Sequence, residues 1–352
     1  MIKKSPITLE ESNSMRGVAI LFIVIHNLVH LLVPIKENEF AYTPHMLSSF
    51  LDSIITAPGT LTANVFSFLG WYGVPVFLFL SGYGLVRKYE VQLAQVSLTF
   101  WQFIKSHWIK MLLLMLIPYL MFVFFDYLLY GERISLVSII KHLCFASNIW
   151  PEEINPGVYW YFGLIIQLYA CYYLFFYKKD HKSLIALNIL SFFLIACCVF
   201  YQKNYPLMNF VRHQFIGWIL PFTFGIAYAR YNWSVVFQEN WKNLLLFVLG
   251  SVLLVLSNID GYVWIFSPLI AICLAIYLEA MMKKVSFLNK VFVYVGSISA
   301  FLFAIHPVIR HLYWHFKTDN VLLSVSVYVL VSILLSIGYK ALHQHLFGGY
   351  KK

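Results

Sequence analysis

The sequence predicts an all-α integral membrane protein of about ten transmembrane helices with both termini cytoplasmic. Three observations carry that expectation. The 352 residues are 61% hydrophobic and only 11% charged, with a mean hydropathy of +0.75, whereas a soluble chain of this length needs far more polar surface. Apolar runs of roughly 17–25 residues recur, each long enough to cross a ~30 Å hydrocarbon core. The basic residues gather at the ends of those runs, mostly on one side.

The runs fall at roughly 17–35, 62–86, 108–130, 158–177, 183–201, 213–230, 243–258, 262–282, 291–314 and 321–342. The first carries Arg16 at its start, with no Lys-rich leader and small-residue cleavage site before it, so it reads as a retained span. The second ends at Arg87 and Lys88, and the third opens after Lys105. The fourth opens on Trp160 and Tyr161 and ends at the Lys178–Lys182 cluster, from which the fifth departs. Arg230 closes the sixth, Lys242 precedes the seventh, Lys283 and Lys284 close the eighth, Lys290 precedes the ninth, and the tenth ends near Lys340. The stretch 134–149 is apolar but short, and Lys141, His142 and Asn148 interrupt it. Charge decides its treatment. With ten spans, only Lys36, Arg133, Lys141, Lys203, Arg212, Arg310 and Lys317 of the 25 basic residues fall outside, and an eleventh span would move the Lys178–Lys182 cluster there too.

One membrane domain covering 1–352 is expected, without a separate soluble domain; the longest hydrophilic pieces are 36–60, 87–107 and 131–157. No internal repeat stands out, which argues against an inverted-repeat transporter. The net charge of +10 is spread over helix ends rather than along a phosphate-tracking face, so no nucleic acid is expected. The five cysteines show neither zinc spacing nor a secreted disulfide framework, and read as small buried hydrophobes.

"MRGVAILFIVIHNLVHLL", Met15–Leu32, is the most informative stretch. His26 lies ten residues beyond Arg16, about 15 Å along a helix. His30 follows at i+4 on the same face, with Asn27 beside them. Ionisable groups at membrane depth are expensive and usually face a polar cavity, and imidazole titrates near working pH, as a general base must. The competing reading is a neutral histidine hydrogen-bonded between helices. No metal is expected, because no acidic or cysteine ligand accompanies the histidine pair.

From Arg16 to about Trp314 the chain resembles the membrane acyltransferase 3 family, multi-span enzymes that O-acylate cell-surface carbohydrates. "MRGVAILFIVIH" is similar to that family's first span, an Arg-Gly followed by an apolar run and a histidine taken as the base. The family often sets the histidine one residue further along, where this chain has Asn27, so His26 and His30 both stand as candidates. "GVPVFLFLSGYGL" resembles the Phe-rich run ending in Ser-Gly, here Ser81-Gly82; "VYWYFGLIIQLY" a Trp-Tyr start with a following Gln; and "FLFAIHPVIRHLYW" a late span with a histidine before Pro307. Trp160, Tyr161, Gln167, His306 and Ser81 are therefore carried over as substrate-binding candidates. Interfacial anchoring for Tyr161 and helix packing for Ser81-Gly82 are the alternatives. Pro307 removes a backbone donor, so a kink is expected there. In place of the family's cytoplasmic Arg-x-x-Arg, "FIKSHWIKM" puts His107 and Lys110, preceded by Lys105. With Arg87 they can meet an acyl-CoA phosphate as point charges, without bidentate geometry.

The resemblance implies an O-acyltransferase that moves an acyl group, most commonly acetyl, from acetyl-CoA or another short acyl-CoA to a hydroxyl of a surface polysaccharide or lipid-linked glycan. His26 or His30 would be the base and Arg16 would act near the thioester. The expected location is a cell membrane, multi-pass, the plasma membrane of a bacterium. The alternatives are a transporter or flippase for a lipid-linked glycan or small solute, separated by the absence of a CoA requirement, and an envelope scaffold, which leaves the intramembrane His and Arg unexplained.

Overall fold

The computed structural model describes residues 7–151, 154–201, 205–313 and 318–348. Every regular element described is helical, and no β-strand occurs among the described residues. Lys3, Lys4, Lys203, Trp314, Lys317, Lys351 and Lys352, and with them both termini, lie outside that set.

Helix α1 spans Leu9–Leu32 and starts about two turns earlier than hydropathy suggests. The reason is a capping box. Thr8 Oγ1 accepts from Glu11 N at 3.1 Å, and Glu11 Oε2 accepts from Thr8 N at 2.8 Å, which satisfies two of the donors a helix start leaves open. The helix stops at Leu32 because Pro34 forces the residue before it out of the helical region. A loop leads to α2 (His45–Thr56) and α3 (Leu61–Leu69); a 3₁₀ turn, Gly70–Tyr72, then joins α3 to α4 (Gly73–Val86). A π-helical turn, Arg87–Gln92, ends this second crossing. α5 (Phe100–Tyr130) opens on a second capping box, Thr99 with Gln102, and closes at Gly131, whose φ of 70° suits glycine.

The interrupted stretch 134–149 forms α6 (Leu136–Leu143), only eight residues long, and a 3₁₀ turn. That is too short to cross a bilayer. α7 (Trp160–Cys171), α8 (Lys182–Phe200), α9 (Tyr205–His213), α10 (Ile219–Arg230), α11 (Asn240–Leu256), α12 (Gly261–Trp264), α13 (Ser267–Met282), α14 (Ser286–Ser297), α15 (Ser299–Tyr313) and α16 (Val321–Phe347) complete the chain.

Each expected span falls on helical structure, but 62–86 is divided between α3 and α4 and 291–314 between α14 and α15, and the helices differ in reach. Six segments are long and apolar enough to cross a membrane: Leu9–Leu32, Pro58–Gln92, Phe100–Tyr130, Gly157–Phe176, Lys182–Phe200 and Val321–Phe347. α14 and α15 meet at a bend of 73° and add one more if taken as a broken span, while Phe215–Arg230, Asn240–Leu256 and Ser267–Met282 are shorter. The sharp bend falls at Ile298, not at Pro307, which lies within a single helical run. The carbonyl that Pro307 leaves open, Phe303 O, accepts from His306 Nδ1 at 2.8 Å.

α1 sits at the centre and packs on α3, α4, α14 and α15. α4 and α10 cross closely because each offers a glycine to the other's backbone. A Cβ on Gly82 would lie 2.2 Å from Phe222 O, and one on Gly225 would lie 2.0 Å from Phe79 O. Large apolar side chains face outward on α5, α8, α11 and α16, among them Phe124, Phe193, Leu249 and Leu330. Exposed apolar faces of this extent belong in lipid. The chain is a multi-pass membrane protein.

Candidate active site

His26 is buried on α1 and packed from below by the 3₁₀ turn between α3 and α4. Its Nδ1 lies 3.1 Å from Phe66 O. A carbonyl can only accept, so Nδ1 carries the hydrogen and Nε2 presents its lone pair. No protein hydrogen bond occupies Nε2 among the described residues. Gly70 makes this placement possible: a Cβ there would stand 2.5 Å from His26 Cβ and 2.9 Å from Phe22 O. Gly70→Ala is accordingly expected to displace His26 by a few tenths of an ångström or more and to lower turnover by about tenfold to 10²-fold, with unchanged protein abundance. Full turnover in that variant would show that the imidazole position is not critical.

His30 stands one turn further on, its ring 5.5 Å from that of His26. Its Nδ1 is 2.7 Å from Glu37 Oε2, while Lys36 Nζ caps the His30 carbonyl at the end of α1. Burial acts to raise the Glu37 carboxyl, but the His30 hydrogen bond and the nearby imidazoles prevail and hold it below its ordinary value. Glu39, on the same loop, is buried without such a partner. Burial, reinforced by the Glu37 charge, pushes its carboxyl well above the usual range, against the pull of Arg212. His26, His30 and Glu37 bring one ligand atom each within 4.8 Å of one another. The acidic partner missing from the first span thus comes from the loop, and among the described residues these three could hold a divalent cation.

Two cavities meet along α1. The smaller, about 30 Å³, is lined by His26, Asn27, Glu39, Trp71, Trp160 and Tyr161, among others. Trp71 Nε1 is buried there with no acceptor. The larger, about 240 Å³, is lined by Arg16, Ser81, Met111, Tyr161, Tyr169 and Phe303, among others. Ile23, Tyr161 and Phe303 belong to both walls. Arg16 has one weak protein acceptor, Asn13 Oδ1 at 3.5 Å, which leaves most of its donors for the cavity.

Five sequence candidates therefore converge: His26, Trp160 and Tyr161 around the small cavity, Arg16 and Ser81 with Tyr161 around the large one. The others are placed differently. His306 is fully buried, with Nδ1 on Leu302 O and Phe303 O and Nε2 3.4 Å from Asn27 Nδ2, so both nitrogens are spent on α15 and α1. Arg310 Nη1 donates to Asn27 O at 3.1 Å and completes that cluster. Gln167 is held between Gln214 Oε1 (2.9 Å) and Phe215 N (2.8 Å), fixing α7 to the turn before α10. His107 lies behind the large cavity, its ring 4.8 Å from Tyr169, with Nδ1 donating to Phe103 O at 2.8 Å and Nε2 3.4 Å from Tyr89 Oη. Lys105 and Lys110 are exposed on the same end of α5, and Arg87 is half-buried at the end of α4. Glu37, Glu39, Trp71 and Gly70 were not singled out from sequence. The one signal available was the pair of acidic residues directly following a histidine-bearing span.

The fold and this site define a polytopic membrane protein whose ionisable side chains converge inside the helical bundle. Residues 9–340 match the acyltransferase 3 family model, described as an acyltransferase domain, and the chain belongs to that family. Its family-level class is membrane acyltransferase. Comparisons with curated proteins and with solved structures gave no significant match.

Proposed function

We propose that this protein is an O-acyltransferase that moves a short acyl group, acetyl being the natural first candidate, from acyl-CoA to a hydroxyl of a surface polysaccharide or lipid-linked glycan. The observation that carries the reading is the junction of the two cavities, with a guanidinium in one and a bare imidazole nitrogen in the other, on a single helix. In this reading the Arg16 end faces the cytoplasm, as do both termini, in keeping with the basic asymmetry of the loops. The membrane is the plasma membrane of a bacterium.

The acyl-bearing end of the donor enters beside Arg16, and the acceptor hydroxyl reaches His26 from the other side. His26 Nε2 takes the hydroxyl proton as the oxygen attacks the thioester carbonyl carbon. A C–O bond forms, the C–S bond breaks, and the proton passes on to the departing CoA thiolate. Trp71, Trp160 and Glu39 wall the small cavity around the incoming hydroxyl, while the sugar ring itself stays outside a space of about 30 Å³. Glu37, through His30, keeps negative charge near the imidazole that becomes cationic. The decisive experiment is mass analysis of surface glycans from cells with and without the gene. Loss of one acyl increment per modified sugar is the expected result, and identical glycans would end the proposal.

Lys105, Lys110 and Arg87 are assigned to the donor's phosphates; His107, expected from sequence to join them, has both ring nitrogens on protein partners. Lys110→Ala is expected to raise the donor KM about three- to tenfold while leaving acceptor use unchanged, since an exposed ammonium contributes as a screened point charge. His107→Ala acts on the cavity wall through Tyr169 and should raise the same constant. Donor saturation curves unaltered in both variants would remove this end of α5 from the donor site.

A further inference from the structure

The loop that returns after α1 brings a carboxylate to the two histidines of that helix. The His26 and His30 rings lie 5.5 Å apart, centre to centre, and Glu37 Oε2 is 2.7 Å from His30 Nδ1. One ligand atom from each of the three falls within 4.8 Å of the other two. No Lys or Arg forms an ion pair with Glu37 among the described residues, and Lys36 Nζ turns instead to the His30 carbonyl. The cluster is reachable from the loop side, since the His30 side chain is 31% exposed. Two imidazoles and one carboxylate are a set that holds zinc with a fourth position left for water, whereas magnesium and calcium favour shells of oxygen ligands. Tetrahedral bonds of about 2.0–2.2 Å put ligand atoms about 3.3–3.5 Å apart, so the widest pair must close and the His30–Glu37 pair must open. His30, in the last turn of α1, and Glu37, on a loop, are placed to make that adjustment.

We propose that His26, His30 and Glu37 bind a divalent cation of the zinc class, which enters at His30, and that occupancy switches the base off. The cation takes the place of the proton between His30 Nδ1 and Glu37 Oε2, which leaves to water, and draws in one nitrogen of His26. Either nitrogen has the same consequence. On Nε2 the metal takes the lone pair that would receive the acceptor's proton. On Nδ1 it displaces Phe66 O and leaves the ring's single hydrogen on Nε2, which then donates and cannot accept. The site rests on the placement of the three side chains. Only the loss of the base rests on the acyltransferase reading.

The full chain in detergent micelles, stripped with a chelator and dialysed, is titrated with zinc by calorimetry, with magnesium as the control. Zinc should bind saturably with a dissociation constant of about 1 μM or tighter, and magnesium should not bind. His30→Ala and Glu37→Gln should each weaken zinc binding about tenfold or more. His45→Ala, which removes an exposed histidine at the start of α2, should leave it unchanged. If His30→Ala does not fold, Glu37→Gln decides. Zinc should also stop acyl transfer, a chelator should restore it, and both variants should need more zinc than the wild type, each measured against its own metal-free rate. No saturable zinc binding, equal binding of magnesium, or zinc affinity undiminished in both variants overturns the site. Full acyl transfer at saturating zinc overturns the switch. Binding is read without turnover, so failure of the glycan experiment and failure of this one are distinguishable.

Discussion

Replacing His26 by alanine is expected to lower acyl transfer by about 10²–10⁴-fold at unchanged protein abundance, the usual cost of losing a general base. The structure offers a clean background for this test. Phe66 O, which accepts from His26 Nδ1, also accepts the Gly70 backbone N–H, so removing the imidazole leaves no orphaned carbonyl. Loss of a polar side chain from a span also eases insertion rather than hindering it. His30→Ala should cost less, because its Nδ1 is committed to Glu37 and its contribution passes through the neighbouring ring. Glycan acylation measured at matched abundance separates the outcomes. Full activity in His26→Ala would end the base assignment, and inactivity confined to His30→Ala would move the role one turn along α1.

Arg16→Ala is expected to reduce transfer by about 10²-fold or more, in the range that follows truncation of a buried charge with an anionic partner. Arg16 is half-buried in the large cavity, and its weak contact with Asn13 cannot balance its charge. The group that does so in the working enzyme is, in our reading, the donor. Arg16→Lys should keep part of the activity, since a point charge remains but the planar fork is lost. Both variants should act on the donor KM and on kcat, and leave the affinity for acceptor alone. Wild-type kinetics in Arg16→Ala would detach this end of α1 from the reaction.

Much of this arrangement was legible in the chain because helices in lipid announce themselves. The apolar runs became helices, two of them broken in the middle, and the i, i+4 spacing of His26 and His30 did put both rings on one face. Arg16, Ser81 and Tyr161, far apart in sequence, gather at one cavity. What hydropathy could not convey was everything held by loops and turns. Glu37 and Glu39 reach the histidines only because the chain folds back after Pro34, and that return has no periodicity to read. Gly70 looked like any turn glycine until its contact with His26 was seen. Polar residues within spans were the other blind spot. Gln167 and His306 needed partners, but a single sequence does not say whether a partner is substrate or protein, and here Gln214 and Asn27 supply it. Length was similarly ambiguous, since α11 and α13 are predominantly apolar yet short.

The wall shared by Ile23, Tyr161 and Phe303 amounts to a gauge. A cavity of about 30 Å³ holds one or two water molecules, and so a two-carbon acyl group fits beside His26 where a fatty chain does not. The same constriction is a poor conduit for solutes: nothing the size of a nucleotide or a sugar passes between the two chambers. On the proposed reading only a small acyl group crosses here, while the bulky donor and acceptor stay on their own sides and the membrane keeps its seal during turnover.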